Sequence, residues 1–280
     1  MRGSFADILL GAWRLPSGRW GASALLVVGI LALVGPWLAQ DPAAMPNVMA
    51  GAEAPSWSHL LGTDPLSRDI LSRTIHGARV SLGIALLAVG LAVLLGTTIG
   101  ATSGYLGGWV DAVIMRIVDA GLAIPRLLVL LLLVLVWERI PTLALALVIG
   151  STGWLGTCRM VRGEVLRLRE MEFVRAARAL GASGRRIIFR HLIPNAAGPI
   201  TVTATLGVAD VILLEAGLSF LGMGVQPPTP SWGGMILDAR PVLLSAPWTS
   251  LAPGLAILFT VLAVNLVGDA LQRALDPRSA

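Results

Sequence analysis

The side chains in this sequence that could do chemistry are few, and their spacing does not bring them together. All 21 basic residues are arginine, and lysine is absent. A Walker-type phosphate loop needs a lysine on the β- and γ-phosphates, and Schiff-base chemistry needs a lysine nucleophile, so neither is available. Cys158 is the only cysteine, which excludes an internal disulfide and any multi-cysteine metal or iron–sulfur site. His59, His76 and His191 stand far apart, and no HExxH or GxSxG string occurs. The chain therefore reads as a non-enzyme with no metal site and no cofactor of its own.

What remains is a set of charges within apolar stretches. Charge there is costly and normally faces protein or water. Arg116, Asp119 and Arg126 follow at steps of three and seven, within about a quarter-turn of one another on a helix. Asp210 and Glu215, five apart, fall on different faces, whereas Glu215 and Ser219 share one. Two readings are open for Glu215, Ser219, Asp210 and Arg126. They line a polar translocation path, or they pair with one another, with a partner subunit or with lipid headgroups. Arg116 and Asp119, near the end of their stretch, fit pairing better.

The elements that must hold these groups follow from composition. The chain has 280 residues, 55% hydrophobic and only 13% charged, with a mean hydropathy of +0.80. Soluble domains carry about a quarter charged residues, and half that amount cannot cover a globular surface. Six apolar stretches approach the ~20 residues that a bilayer-crossing helix needs: 22–39, 80–101, 113–136, 142–158, 196–221 and 251–267. Arg14 and Arg19 before the first stretch also suit a signal peptide. Its apolar run exceeds the roughly 7–15 residues usual there, so it is read as a retained helix.

Arginine placement orients the spans. With both termini in the cytoplasm, fourteen arginines lie inside: Arg2, Arg14, Arg19, nine between Arg159 and Arg190, and Arg273 and Arg278. Five lie outside: Arg68, Arg73, Arg79, Arg139 and Arg240. A multi-pass protein of the cytoplasmic (inner) membrane is expected, and the pI near 11.0 reports topology rather than nucleic-acid binding. Two outer segments, 40–78 and 225–234, are rich in proline and turn residues and read as irregular.

Gly96, Gly100, Gly104 and Gly108 recur every fourth residue, which lines them on one helix face where another backbone can come close. The inner segment 159–194 is too long for a connector. Within it, 172–180 is predicted to be a short helix, its acid at the positive end of the dipole and Gly181 at the position that favours left-handed backbone. Ser183 is placed to cap a second helix through Arg186 to Leu192, stopped at Pro194. The product is a helix–turn–helix elbow below the membrane. One reading is an arginine-rich loop resting on anionic lipid. Small residues at Ala176, Ala177 and Ala179 beside a glycine turn favour the other, insertion into a cleft of a soluble partner.

This segment resembles the EAA loop of binding-protein-dependent ABC importer permeases, whose pattern is EAA, three residues, Gly, nine residues, then an apolar-x-Leu-Pro ending. Here it falls on Arg175-Ala176-Ala177, Gly181 and Leu192-Ile193-Pro194, with arginine at 175 in place of glutamate and His191 in an apolar slot. LGTDPLSRDILSRTIHGARVSL (61–82, with Ser67 where glycine is usual), GYLGGWVDAVIMRIVD, EAGLSFLGMGVQPPTPSWG and NLVGDALQRALDPR resemble the dipeptide, oligopeptide and nickel branch. Together they cover roughly 58–278.

The resemblance implies an all-α membrane protein of six transmembrane helices with the type I ABC importer permease (MetI-like) fold. Residues 1–76 would hold a cytoplasmic arm, the first helix and an outer loop, 77–270 the permease domain, and 271–280 a cytoplasmic tail. It implies that Glu172, Phe173, Arg175, Ala176, Ala177, Leu180, Gly181 and Pro194 couple the chain to two cytosolic ATPase subunits, which bind ATP and Mg. It further implies a homologous second permease, an extracytoplasmic substrate-binding protein and surrounding membrane lipid as partners, and no nucleic acid. Di- or oligopeptides would be the cargo, or alternatively nickel or a nickel chelate, moved by alternating access. Two other classes differ in what they require: a channel would conduct without ATPases, and a membrane-embedded enzyme would need a nucleophile–base pair or a metal cluster.

Overall fold

The computed structural model describes residues 5–45 and 51–275. Arg2, Pro46 and the tail with Asp276, Pro277 and Arg278 lie outside the described residues. Apart from an isolated bridge between Thr63 and Asp69, every regular element among the described residues is helical. In order these are α1 (Phe5–Arg14), α2 (Pro16–Leu38), α3 (Ile70–Leu106), α4 (Gly108–Ala123), α5 (Arg126–Val134) and α6 (Thr142–Leu168). Then come α7 (Glu172–Ala179), α8 (Gly184–Ile187), a π turn over Ile188–Leu192, α9 (Ile193–Asn195), α10 (Ala197–Phe220), α11 (Trp232–Ala239) and α12 (Trp248–Leu275).

Five of them, α2, α3, α6, α10 and α12, are long and apolar enough to cross a bilayer; α4 and α5, bent by 86° at their junction, make a sixth if the pair is taken as one broken span. The single helix expected over 113–136 is therefore interrupted. Pro125 lacks an N–H and excludes helical backbone at the residue before it, so Ile124 is extended (φ −97°, ψ 130°). The span expected at 80–101 is also longer. Asp69 caps α3 by accepting from the Ser72 N–H at 2.8 Å, so the helix begins at Ile70 and the irregular outer segment ends there, not at 78. With 37 residues, α3 is about 55 Å long and exceeds a ~30 Å hydrocarbon core.

α3 and α6 pack closely. A Cβ at Gly96 would stand 2.5 Å from Thr157 Cβ, one at Gly100 would collide with the Cys158 carbonyl, and one at Gly104 would lie 2.9 Å from the Arg162 carbonyl. Only backbone fits there. Gly108, the fourth glycine of the series, opens α4 at φ +56° with open space around it, so it takes no part in this seam.

The main core joins α3, α5, α6 and α10 through Ala85, Ala88, Leu130, Leu145, Ile149, Ile212 and Leu218. A second core at the elbow end gathers Ala101, Val161, Val165, Leu168, Val174, Ile187 and Leu192. Leucines such as Leu26, Leu33, Leu86, Leu94 and Leu258 face outward, where a bilayer would cover them.

Candidate functional site

The elbow is built by local rules. α7 has one fully buried side chain, Val174, which enters the elbow-end core; Glu172, Phe173, Arg175, Ala176 and Arg178 are exposed and Ala177 is partly covered. The helix closes with a Schellman turn. Gly181, at φ +80°, donates its N–H to the Arg178 carbonyl at 3.0 Å, and Ala182 donates to the Ala177 carbonyl at 3.0 Å. Leu180 at the tip is 89% exposed. Ser183 then caps α8 by accepting from the Arg186 N–H at 3.4 Å.

Pro194 does not stop the second helix as expected. The chain widens into the π turn just before it and continues through α9 into α10. A proline cannot donate to the carbonyl four residues back and its ring crowds that carbonyl, so a wider turn lets the helix pass. Asn195 Nδ2 donates to the His191 carbonyl at 2.6 Å, satisfying a group that the irregular turn would leave open.

One contact fixes the elbow to the long helices, and two more brace those helices to one another beside it. Tyr105, at the end of α3, lies under the Arg178 guanidinium at 5.7 Å, and a Cβ on Gly184 would come within 3.0 Å of the same ring. Arg169 donates to the Gly104 carbonyl at 2.9 Å. Arg162 grips Asp111 at the start of α4 with two bonds, at 2.6 and 2.5 Å, and Ser103 donates to the same carboxylate at 2.5 Å. The ends of α3, α4 and α6 and the elbow thus form one braced unit.

Within the apolar region, the suggested path residues separate into different environments. Glu215 and Ser219 are buried, being only 1% and 2% exposed. Ser81 Oγ donates to Glu215 at 3.1 Å and Ser219 Oγ donates to it at 2.6 Å. Those serines in turn accept from the backbone N–H groups of Trp232 and Val225, at 3.3 Å each. Every donor in this knot points toward Glu215, which ties α10 to α3 and α11. Arg126 donates to the Ile149 carbonyl at 2.7 Å and to Thr152 Oγ1 at 3.2 Å, and Asp210 is exposed on α10. Arg116 is exposed and Asp119 pairs with Arg159, so these do not join Arg126 in one cluster.

At the end opposite the elbow is a cluster of charges built around the TDPLSRD motif. Arg68 donates to Asp64 at 2.7 Å and to Asp238 at 2.9 Å; Arg73 also pairs with Asp64 and donates to Asp238 at 2.9 Å. Asp64, Arg68 and Arg73 are buried, and the paired charges offset the desolvation of one another. Ser67 adopts φ +63° inside the turn that Asp64 caps. The TDPLSRD spacing was the available signal, but Asp238 lies 170 residues beyond Arg68.

Residues 96–280 match the family described as binding-protein-dependent transport system inner membrane component. Over 275 residues the chain is 40% identical to the dipeptide transport system permease protein DppC of Alkalihalophilus pseudofirmus, covering 95% of this chain and 90% of that protein. It is 40% identical over 278 residues to the oligopeptide transport system permease protein OppC of Bacillus subtilis (96% and 90% covered). A putative peptide permease protein of Brucella suis is 44% identical over 250 residues (87% and 80% covered).

Proposed function

This chain belongs to the family of binding-protein-dependent transport system inner membrane components, and from that premise we propose that it forms one half of a permease that imports di- or oligopeptides. The family consists of transporter permeases of the inner membrane, not enzymes. The observation that carries the specific reading is α7: a short helix held by the buried Val174 and by Arg178 over Tyr105, with Leu180 at its tip 89% exposed and Phe173 partly so. Apolar side chains on a protruding helix call for a partner.

In this reading residues 77–270 form the permease domain, both termini and the elbow lie in the cytoplasm, and the arginine excess around the elbow supports that side. Of two ATPase subunits carrying ATP and Mg, one receives α7 in its cleft, and a homologous second permease completes the pathway. A substrate-binding protein docks on the far face, near the Asp64–Asp238 cluster. Closure of the ATPases moves α7, and the braced ends of α3, α4 and α6 move with it, switching the side to which the pathway opens. The chain lacks a phosphate-binding lysine, so its share in the cycle is mechanical.

Site-directed cross-linking tests this. Ala176→Cys or Leu180→Cys, in membranes that are actively accumulating peptide, should cross-link to a nucleotide-hydrolysing subunit; the native Cys158 is buried and does not compete. Absence of such a cross-link in those membranes would refute the docking role.

A further inference from the structure

The first two helices meet at a sharp corner. A Cβ at Gly18 would collide with the Ala12 carbonyl, although six residues span about 9 Å of rise in a straight helix. α1 therefore leaves the axis of α2 at Leu15, whose backbone is extended, and Pro16. It lies against the end of α12: a Cβ at Gly11 would be 3.3 Å from the Ala274 methyl, and Ala12 is buried with Ala270 and Leu271. This is the elbow side of the molecule, because a Cβ at Gly198, at the start of α10, would lie 2.5 Å from Leu275 at the end of α12.

The outward side of the corner carries apolar, aromatic and basic groups together. Leu10, Trp13 and Trp20 are 59%, 53% and 75% exposed. Arg14 and Arg19 are exposed as well, and neither forms an ion pair with a side chain that the structure describes.

α2 fixes the depth of this corner. Its exposed residues Leu26, Val27, Ile30, Leu33 and Val34 are bracketed by two exposed tryptophans, Trp20 and Trp37, about 25 Å apart along the axis. Tryptophan gathers at the two boundaries of a bilayer, and this separation is close to the ~30 Å of a hydrocarbon core. Trp20 thus marks the boundary on the elbow side, which puts Arg19 and the corner with Arg14 and Trp13 at the level of the headgroups. Water alone would leave Leu10 and Trp13 uncovered, whereas the headgroup layer offers phosphate to the guanidinium groups and an apolar edge to the indoles.

We propose that α1 lies in the plane of the membrane surface and, with the first turn of α2, binds anionic phospholipid. Arg14 and Arg19 take the headgroups, and Trp13 and Trp20 rest on the boundary beneath them. The inference is independent of the cargo and adds lipid recognition to the permease. Each arginine near such a surface favours an anionic over a zwitterionic lipid about fivefold.

The test uses the full chain, purified with the subunits that accompany it and reconstituted in vesicles in which a known fraction of the lipid is brominated on its acyl chains. Bromine quenches nearby tryptophan, and the difference between the wild type and a Trp13→Phe, Trp20→Phe variant isolates the signal of these two rings. Titrated against lipid fraction, that signal should report a preference of about fivefold or more for phosphatidylglycerol over phosphatidylcholine. Arg14→Gln with Arg19→Gln should abolish the preference and leave quenching by phosphatidylcholine in place, and lysine at both positions should keep the preference. Equal quenching by the two lipids in the wild type overturns the anionic site. Absence of quenching by either overturns the membrane position of α1. A fall in the yield of complex with the glutamine or phenylalanine variants would place the corner against another subunit, and overturns the proposal too.

Discussion

Gly181 allows a clean perturbation of the elbow because nothing stands within 4 Å of a side chain added there. Any effect of substitution must come through the backbone. At φ +80° an L-residue with a Cβ costs about 1–2 kcal/mol, and a β-branched one more. That cost falls on a turn held by two 3.0 Å bonds at the end of an eight-residue helix, which is too short to persist unaided. A shift of ~1.4 kcal/mol changes the ratio of closed to opened turn tenfold. In the assembled transporter, peptide moved per ATP hydrolysed should fall several-fold for Gly181→Ala and tenfold or more for Gly181→Val. Gly181→Asn, which tolerates left-handed backbone, should stay close to the wild type. A Gly181→Val complex that couples as well as the wild type would refute the claim that this turn holds α7 in its working position.

Other substitutions probe the parts to which the elbow is attached. Gly100→Leu must force α3 away from the Cys158 carbonyl, costing about 1–3 kcal/mol and lowering the Tm of the purified complex, whereas Gly90→Ala, which meets open space, should leave it unchanged. Tyr105→Ala removes the ring between Arg178 and Gly184 and should reduce uptake per ATP; Tyr105→Phe keeps the ring and should retain it, and equal losses in both would point away from ring contact. Glu215→Gln replaces an all-acceptor group with one that also donates, so one serine must turn its hydroxyl hydrogen away from its present acceptor and the knot loosens, at about 1–3 kcal/mol. Faster amide exchange across 222–234 would show it, and unchanged protection there would refute the knot.

The features legible from sequence were those whose determinants are local. Gly181 and Ser183 specify a turn and a cap within three residues of the bonds they make, and the four-residue step of Gly96, Gly100 and Gly104 marks a close seam whatever packs on it. Prolines were harder to read. Pro125 breaks its span by 86°, while Pro194 is passed by a widened turn, and the difference lies in the surroundings. Ile188 and Leu192 are held in the elbow-end core, and Asn195 is available to take a stray carbonyl. The Asp64–Arg68–Arg73–Asp238 cluster escaped because one of its carboxylates comes from a helix 165 residues beyond Arg73. Glu215 was singled out correctly as an unusual charge, but periodicity gives the face of a residue, not whether another helix already covers it.

The same two helices receive both ends of the molecule, which restricts how motion can travel. The elbow runs without a loop from Gly184 through the π turn into α10, and its Arg178 and Gly184 rest on Tyr105 of α3. At the other end Glu215 and Ser219 of α10 are bonded to Ser81 of α3, and Trp232 of α11 donates its indole N–H to the Thr74 carbonyl of α3 at 3.0 Å. A regular helix transmits displacement along its axis because each turn is hydrogen-bonded to the next. In the proposed cycle, then, the compliant elements between α7 and the far face are the π turn on the α10 branch and the tyrosine contact on the α3 branch. Movement of α7 that strains these two branches unequally shears α10 against α3, and the Glu215 knot is the point at which that shear must either be resisted or released.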